Sequence, residues 1–449
     1  MEIAGSSIPV SFINIIHALG GFSLAILILG AGIFLTVRCR FYQVRGFFSS
    51  ICSIFQELHP CHKKKMFAGD ITPFQALTTA LAATVGTGNI AGVATALAAG
   101  GPGAVFWMWV SAFFGMMLKF SEIALAVFYR RQGREGVAGG PMYVLSDGLN
   151  CRGWGMIYAL FGALAAFGTG NMVQAHTVTE ALKVTLEIPS DITAAVLAVI
   201  TAVVILGGIH RIGVWTSRLV PAMTVLYVGG LLIIIVMHRH LLVEALQIIV
   251  ESAFCETAAA GGFAGAGVAL AVRYGVTRGI FTNEAGLGSA AIAHAAARTS
   301  HPVKQGTWGI LEVFIDTHLL CTLTALALIV TGAWTTGLEG APMTVEAFNR
   351  GLPGSGGVVV AAGLIFFSFS TLISWFYYGE RCYRFIFPSG SNYYRYFWIV
   401  FIIIGARGGL QAVWAWADTL NALMALPNLL ALLALSGTVA GLLRSYYRK

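Results

Sequence analysis

Hydrogen-bonding side chains are sparse in this chain, and the places where they interrupt apolar sequence are where chemistry can be done. Val85-Gly86-Thr87-Gly88-Asn89 sits at the centre of the apolar run 70–99. Two glycines one residue apart weaken a helix by about 1 kcal/mol each relative to alanine. Backbone that leaves a helix inside hydrocarbon persists only where it lines a protein cavity. The freed N–H and C=O groups of such a break can grip a small charged ligand at mid-membrane depth. Close helix packing through small residues is the competing reading. A second run, Ala260-Gly261-Gly262-Phe263-Ala264-Gly265-Ala266-Gly267, predicts a stronger interruption.

Several side chains could complete such a site. Asp316, four residues after Glu312, is a candidate cation ligand or counter-ion for a substrate amine, or a buried partner for a basic group. Ser368, Ser370, Thr371 and Ser374 could offer oxygen to a hard cation, or bond back to their own helix carbonyls. Asn171 and Gln174 share a helix face, where amides can bind a carboxylate or an amine, or join helices. Lys119 and Glu122, three apart, read as a self-satisfied pair. His176 reads as packing, and Asp418, Asn421 and Asn428 read as caps or helix joints. No Walker loop, H-E-x-x-H or G-x-S-x-G occurs, so no enzyme constellation is present. The seven cysteines show no zinc spacing, and no cofactor is expected.

The elements that must position these groups are membrane spans. Of 449 residues, 57% are hydrophobic and 10% charged, against about 25% charged in a soluble domain. Eleven apolar spans can be drawn, at about 13–37, 70–99, 103–130, 153–184, 190–209, 215–237, 253–277, 303–332, 356–386, 392–411 and 420–442. The first lacks a basic leader and cleavage site, so it is expected to stay. With the N-terminus outside, 22 of the 27 Lys and Arg fall on the inner side. Four, Lys183, Arg239, Arg350 and Arg407, fall outside. The net charge of +8 therefore reflects topology in the cytoplasmic membrane and not nucleic-acid binding.

The two interrupted spans, second and seventh, are five apart. Five is odd, so a five-span repeat inverts its orientation. The chain reads as one transmembrane domain: an extra span at 13–37, a first repeat at 70–237 and a second at 253–442. Transporters built from inverted repeats bind substrate and ions between such broken helices. Asn283-Glu284-Ala285-Gly286 predicts a turn, and the Ala-rich run after it predicts an inner gate or re-entrant element. With no ATP site, an ion gradient would drive transport. An ion channel is the rival, disfavoured because the polar residues converge on one mid-depth site.

Beyond these spacings, Gly100-Gly101-Pro102-Gly103-Ala104-Val105-Phe106-Trp107-Met108-Trp109 resembles the hallmark of the alanine/glycine:cation symporter family. Thr84–Gly92, Ala138-Gly139-Gly140-Pro141-Met142-Tyr143, Gly170–Gln174 and Asn283–Ala290 are similar to its other motifs, over nearly the whole chain. Thr282 stands where the family often has serine. The resemblance implies a leucine-transporter-like, all-α fold of five plus five inverted spans with one extra N-terminal span. It implies sodium-coupled, sometimes proton-coupled, uptake of alanine, glycine or a similarly small amino acid. The break at Gly86, Thr87, Gly88 and Asn89 would hold the substrate. The carbonyls of Ala82 and Val85 would join the hydroxyls of Ser370 and Thr371 around sodium. Phe167, Gln174, Phe263 and Trp375 would wall the pocket.

Overall fold

A computed structural model describes residues 22–49, 51–52, 67–133, 136–254, 267–388, 391–407 and 410–448. The chain is almost entirely helical. Helix α1 (Phe22–Arg38) precedes a bent pair, α2 (Pro73–Thr84) and α3 (Gly88–Gly100). Then come α4 (Gly103–Phe128), a small antiparallel hairpin (Arg131–Gly133 with Gly136–Ala138), α5 (Arg152–Lys183) and α6 (Ser190–Ile205). Next are α7 (Gly208–Met237), α8 (Leu242–Ser252), α9 (Val268–Asn283), α10 (Ser289–Ala295) and α11 (Pro302–Val330). The last five are α12 (Gly340–Gly351), α13 (Gly356–Ile386), α14 (Ser391–Arg407), α15 (Leu410–Ala434) and α16 (Ser436–Tyr447).

Among the described residues, α4, α5, α7, α11 and α13 are each long and apolar enough to cross a bilayer. Two bent pairs raise the number to seven: α2 with α3, at 52°, and Thr419–Ala434 with α16, at 56°. This is a multi-pass membrane protein, and two of the spans drawn from hydropathy have other bounds in the structure. Gly208 adopts φ +59°, so α6 stops at Ile205 and α7 starts at Gly208 instead of near 215. The span drawn at 420–442 is two helices that part at Leu435. Residues 255–266 of the seventh span are not among those described, so Phe263 and all of the glycine run but Gly267 lie outside the described residues.

Helix α2 starts where the sequence caps it. Thr72 Oγ1 accepts from Gln75 N–H at 3.1 Å, Gln75 Oε1 accepts from Thr72 N–H at 3.0 Å, and Pro73 fills the first helical position. Helix α9 crosses α4 at Gly275 and Gly279. A methyl there would lie 2.3 Å from Ala104 O or Ser111 Oγ, so only glycine permits the approach.

The turn expected after Asn283 is present, with Glu284, Gly286 and Gly288 all at positive φ. It leads into α10, every residue of which is buried. The end of α10 is strapped to the start of α2. Asp70 N–H donates to Ala296 O at 2.7 Å and Arg298 N–H to Ile71 O at 2.8 Å. Arg130 ties Ala297 O (2.7 Å) and Ala68 O (2.9 Å) together.

Candidate functional site

The break between α2 and α3 has a definite hydrogen-bond cause. Val85 N–H makes the last α-helical bond, to Leu81 O at 2.7 Å. The next N–H, of Gly86, should go to Ala82 O. It goes instead to Asn89 Oδ1, at 2.9 Å. Asn89 is fully buried, and its Nδ2 donates to Asp316 O (3.0 Å) and Asp316 Oδ1 (2.9 Å). Asp316 Oδ2 accepts from Thr317 at 2.8 Å, within a widened turn, Phe314–Cys321, of α11. Asn89 is therefore a clip that holds the break open and fastens it to α11.

Diverting Gly86 N–H frees the Ala82 carbonyl. Ser370 Oγ (3.2 Å) and Thr371 Oγ1 (3.0 Å) of α13 both reach it. The same hydroxyls also reach their own helix carbonyl, Phe367 O, at 2.8 and 3.0 Å. The back-bonding foreseen for them is therefore present, beside a contact that joins α13 to α2. Thr371 lies directly over Gly86, where a Cβ would sit 3.2 Å from its Oγ1. A carbonyl and two hydroxyls in one buried place are a hard-cation donor set, and the buried Val85 is the cap residue of α2 beside them.

A cavity of about 30 Å³ lies against the break, lined there by Gly86, Thr87, Gly88 and Thr371. Its other walls include Thr169 and Gln174 of α5, Thr282 of α9, Glu284 and Asn421 of α15. Gln174 Nε2 donates to Thr169 O at 3.0 Å, and Asn421 Nδ2 to Thr169 Oγ1 at 2.9 Å. Glu284 accepts from Trp375 Nε1 at 3.2 Å and from the Ser289 hydroxyl.

The predicted residues are thus divided. Gly86, Thr87, Gly88, Gln174 and Thr371 line the cavity; Ala82, Ser370, Asn89 and Asp316 support it from behind. Trp375 stands behind Glu284 and is packed on Gly170. Phe167 is turned into an aromatic cluster with Tyr394, Trp398 and Phe401, at ring-centroid distances of 4.9, 5.5 and 4.7 Å. The large apolar face of Phe167 gains more from that cluster than from a polar cavity. Eight of the lining residues were missed, among them three polar ones away from the break. Glu284 read as a turn, Asn421 as a helix joint, and Thr169 drew no notice, although each is polar in apolar surroundings.

A separate buried network corrects the Lys119–Glu122 pairing. Lys119 Nζ lies 3.2 Å from Glu312 of α11, which also faces His294 Nε2 at 3.2 Å. Gln305 closes the group on His294 Nδ1 at 2.7 Å. Glu122 Oε1 instead accepts from Gly286 N–H and Asn428 Nδ2, both at 2.8 Å. Helix α11 packs directly on α4, so a carboxylate across the interface competes with the one a turn away. Asn428 joins α15 to the turn, as a joint should. His176 pairs with Glu180 at 2.9 Å instead of only packing.

The chain has relatives of similar sequence. A sodium/alanine symporter of Methanococcus maripaludis is 46% identical over 441 residues, covering 96% of this chain and 95% of its own. An uncharacterized transporter of Haemophilus influenzae is 44% identical over 434 residues, with 96% and 94% coverage. A probable sodium/glutamine symporter of Bacillus subtilis is 37% identical over 429 residues, with 95% and 88% coverage. The solved structure of a Na+-coupled sialic acid symporter superposes with a TM-score of 0.49 at 13% identity, covering 94% of this chain and 86% of that one. The pattern that describes the sodium:alanine symporter family matches residues 7–449, and the chain belongs to that family.

Proposed function

We propose that this protein is a secondary symporter that couples sodium entry to uptake of alanine or glycine by alternating access. One observation carries the reading. The Ala82 carbonyl, released by the break, is met by Ser370 and Thr371 hydroxyls beside a small cavity. Sodium takes the place of the hydroxyl protons when Ser370 and Thr371 rotate their lone pairs toward it, with the Val85 carbonyl as a further donor. Binding there ties α2 to α13 and fixes the shape of the break. The N–H groups at the start of α3 have no partners within their own helix, and carry the partial positive charge that suits the substrate carboxylate. The narrow cavity favours a small side chain.

Carbonyls and hydroxyls do not titrate near neutral pH, so this donor set favours sodium over a proton as the coupling ion. In this reading 70–237 and 253–442 are inverted halves, the N-terminus lies outside, and the inner membrane's potential adds about 2.3 kcal/mol per charge per 100 mV. The strap from α10 to α2 is then part of the inner gate.

The test is uptake of labelled alanine and glycine into proteoliposomes with sodium or proton gradients imposed separately. Saturable accumulation against a gradient is expected with inward sodium and not with inward protons. Accumulation driven by protons alone would move the coupling ion. Non-saturable flux at a variable ion ratio would make the protein a channel.

A further inference from the structure

Two residues that line the cavity each keep a buried side-chain oxygen without a hydrogen-bond partner among the described residues: Gln174 Oε1 and Asn421 Oδ1. Both amides spend an N–H on the same residue, Thr169, and leave the oxygen over. For Gln174 this orientation is forced, because the Thr169 carbonyl can only accept. Both residues are nine-tenths buried or more, at 3% and 5% exposure. A buried acceptor with no donor is costly unless a ligand supplies one. The third acceptor is Glu284, the one charged side chain among the described lining residues. Trp375 and Ser289 each give its carboxylate one hydrogen bond, and a carboxylate has about four acceptor positions. Glu284 itself sits at φ +53°, a conformation that L-residues seldom adopt.

Three acceptor groups, one of them anionic, match a primary ammonium, which has three donors and one positive charge. Resting on the symporter reading above, we propose that Gln174, Asn421 and Glu284 bind the α-ammonium of the substrate, with Glu284 as its counter-charge. The carboxylate is left to the N–H groups of Thr87 and Gly88, since Gly86 N–H is held by Asn89. The two ends of the zwitterion are then read by different parts of the fold. Carboxylic acids that lack the amine are excluded, because they would leave Glu284 facing the cavity unneutralised.

The experiment compares wild type with Glu284→Gln in proteoliposomes at saturating sodium. It reads the KM for labelled alanine, competition by propionate, and the sodium midpoint of thermal stabilisation without amino acid. The expected result is a rise of thirtyfold or more in alanine KM in the variant, a sodium midpoint within twofold of wild type, and no competition by propionate in wild type. An alanine KM within threefold of wild type overturns the proposal. So does a sodium midpoint that moves in parallel with KM, since Glu284 would then serve the cation, or propionate competing as well as alanine. If Glu284→Gln loses its sodium response by misfolding, Asn421→Leu decides: a fivefold rise in KM at an unchanged sodium midpoint supports the assignment, and an unchanged KM overturns it. Wild type that takes up neither alanine nor glycine with sodium would instead defeat the symporter reading itself, and this assignment with it.

Discussion

The tetrapeptide Gly-Thr-Gly-Asn occurs twice, at 86–89 and at 168–171, and the two copies do different things. The first ends one helix and starts another at 52°. The second widens α5 into looser turns over Ala166–Met172 and lets the helix run on. The asparagines account for the difference. Asn89 turns back to take Gly86 N–H, which removes that donor from the helix ladder. Asn171 reaches outward, and its Nδ2 donates to Trp398 O of α14 at 2.8 Å. The glycines differ as well. Gly170 is a packing glycine, whose Cβ would lie 2.1 Å from Trp375 Cβ. Gly86 and Gly88 meet nothing nearer than hydroxyl oxygens at 3.2 Å. Both readings of a glycine pair inside a membrane, a break and a close contact, are therefore realised in one chain.

The largest test of this contrast is alanine at each copy. Gly170→Ala forces a methyl into Trp375, and overpacking of this kind costs about 1–3 kcal/mol. A lower apparent Tm and less folded protein after extraction are expected. Gly86→Ala is expected to change stability by less than about 1 kcal/mol, because only the Thr371 hydroxyl must shift. Yet it should lower sodium-dependent alanine uptake by tenfold or more. If Gly86→Ala lost as much stability as Gly170→Ala, the first copy too would be a packing device.

The asparagines come next. Asn89→Ala strips an acceptor from Gly86 N–H and two donor contacts from Asp316, all buried. Each group left unsatisfied costs about 1–3 kcal/mol. Uptake should fall further than expression, with the break itself loosened. Asn171→Ala removes one hydrogen bond to a backbone carbonyl, about 1 kcal/mol, and should leave the alanine KM within threefold of wild type. Normal uptake by the Asn89 variant would show that the clip is dispensable.

How far all this could be read in advance follows from the same residues. A weak point at Gly86 was legible because glycine and asparagine lower helix stability, but the same tetrapeptide at 168–171 leaves its helix running, so the break itself depends on the partner that Asn89 finds. Its partners Ser370 and Thr371 were named through the family resemblance, since spacing along α13 shows a hydroxyl face and not what it faces. Glu284 and Asn421 were visible as polar residues, but their meeting in one wall depends on how the turn after α9 is brought against α15, which no local pattern encodes. Lys119 was misassigned for a similar reason: Glu122 is near in sequence, whereas Glu312 is brought close by the packing of α11 on α4. The spans drawn from hydropathy put the gap at 210–214 and run 420–442 straight through, because hydropathy does not register a two-residue turn at Leu206–Gly207 or a bend at Leu435.

The narrowest expected effect, on sodium dependence alone, bears on what the first copy releases and the second does not. In α5 the loosened turns keep their carbonyls occupied; Gly168 O, for example, accepts from Val173 N–H. At the first copy Ala82 O has lost its helical donor, and Ser370 and Thr371 replace it. Ser370→Ala with Thr371→Ala removes both. With no hydroxyl to compete, Gly86 N–H can return to Ala82 O and complete another helical turn, so sodium would have to rebuild the break as well as bind. The sodium concentration for half-maximal alanine uptake is expected to rise about tenfold, a difference of about 1.4 kcal/mol. The alanine KM at saturating sodium should stay close to wild type, because neither change touches the far wall of the cavity. An unchanged sodium dependence in the double variant would place the cation elsewhere and leave the carbonyl freed at Ala82 as no more than a consequence of the bend.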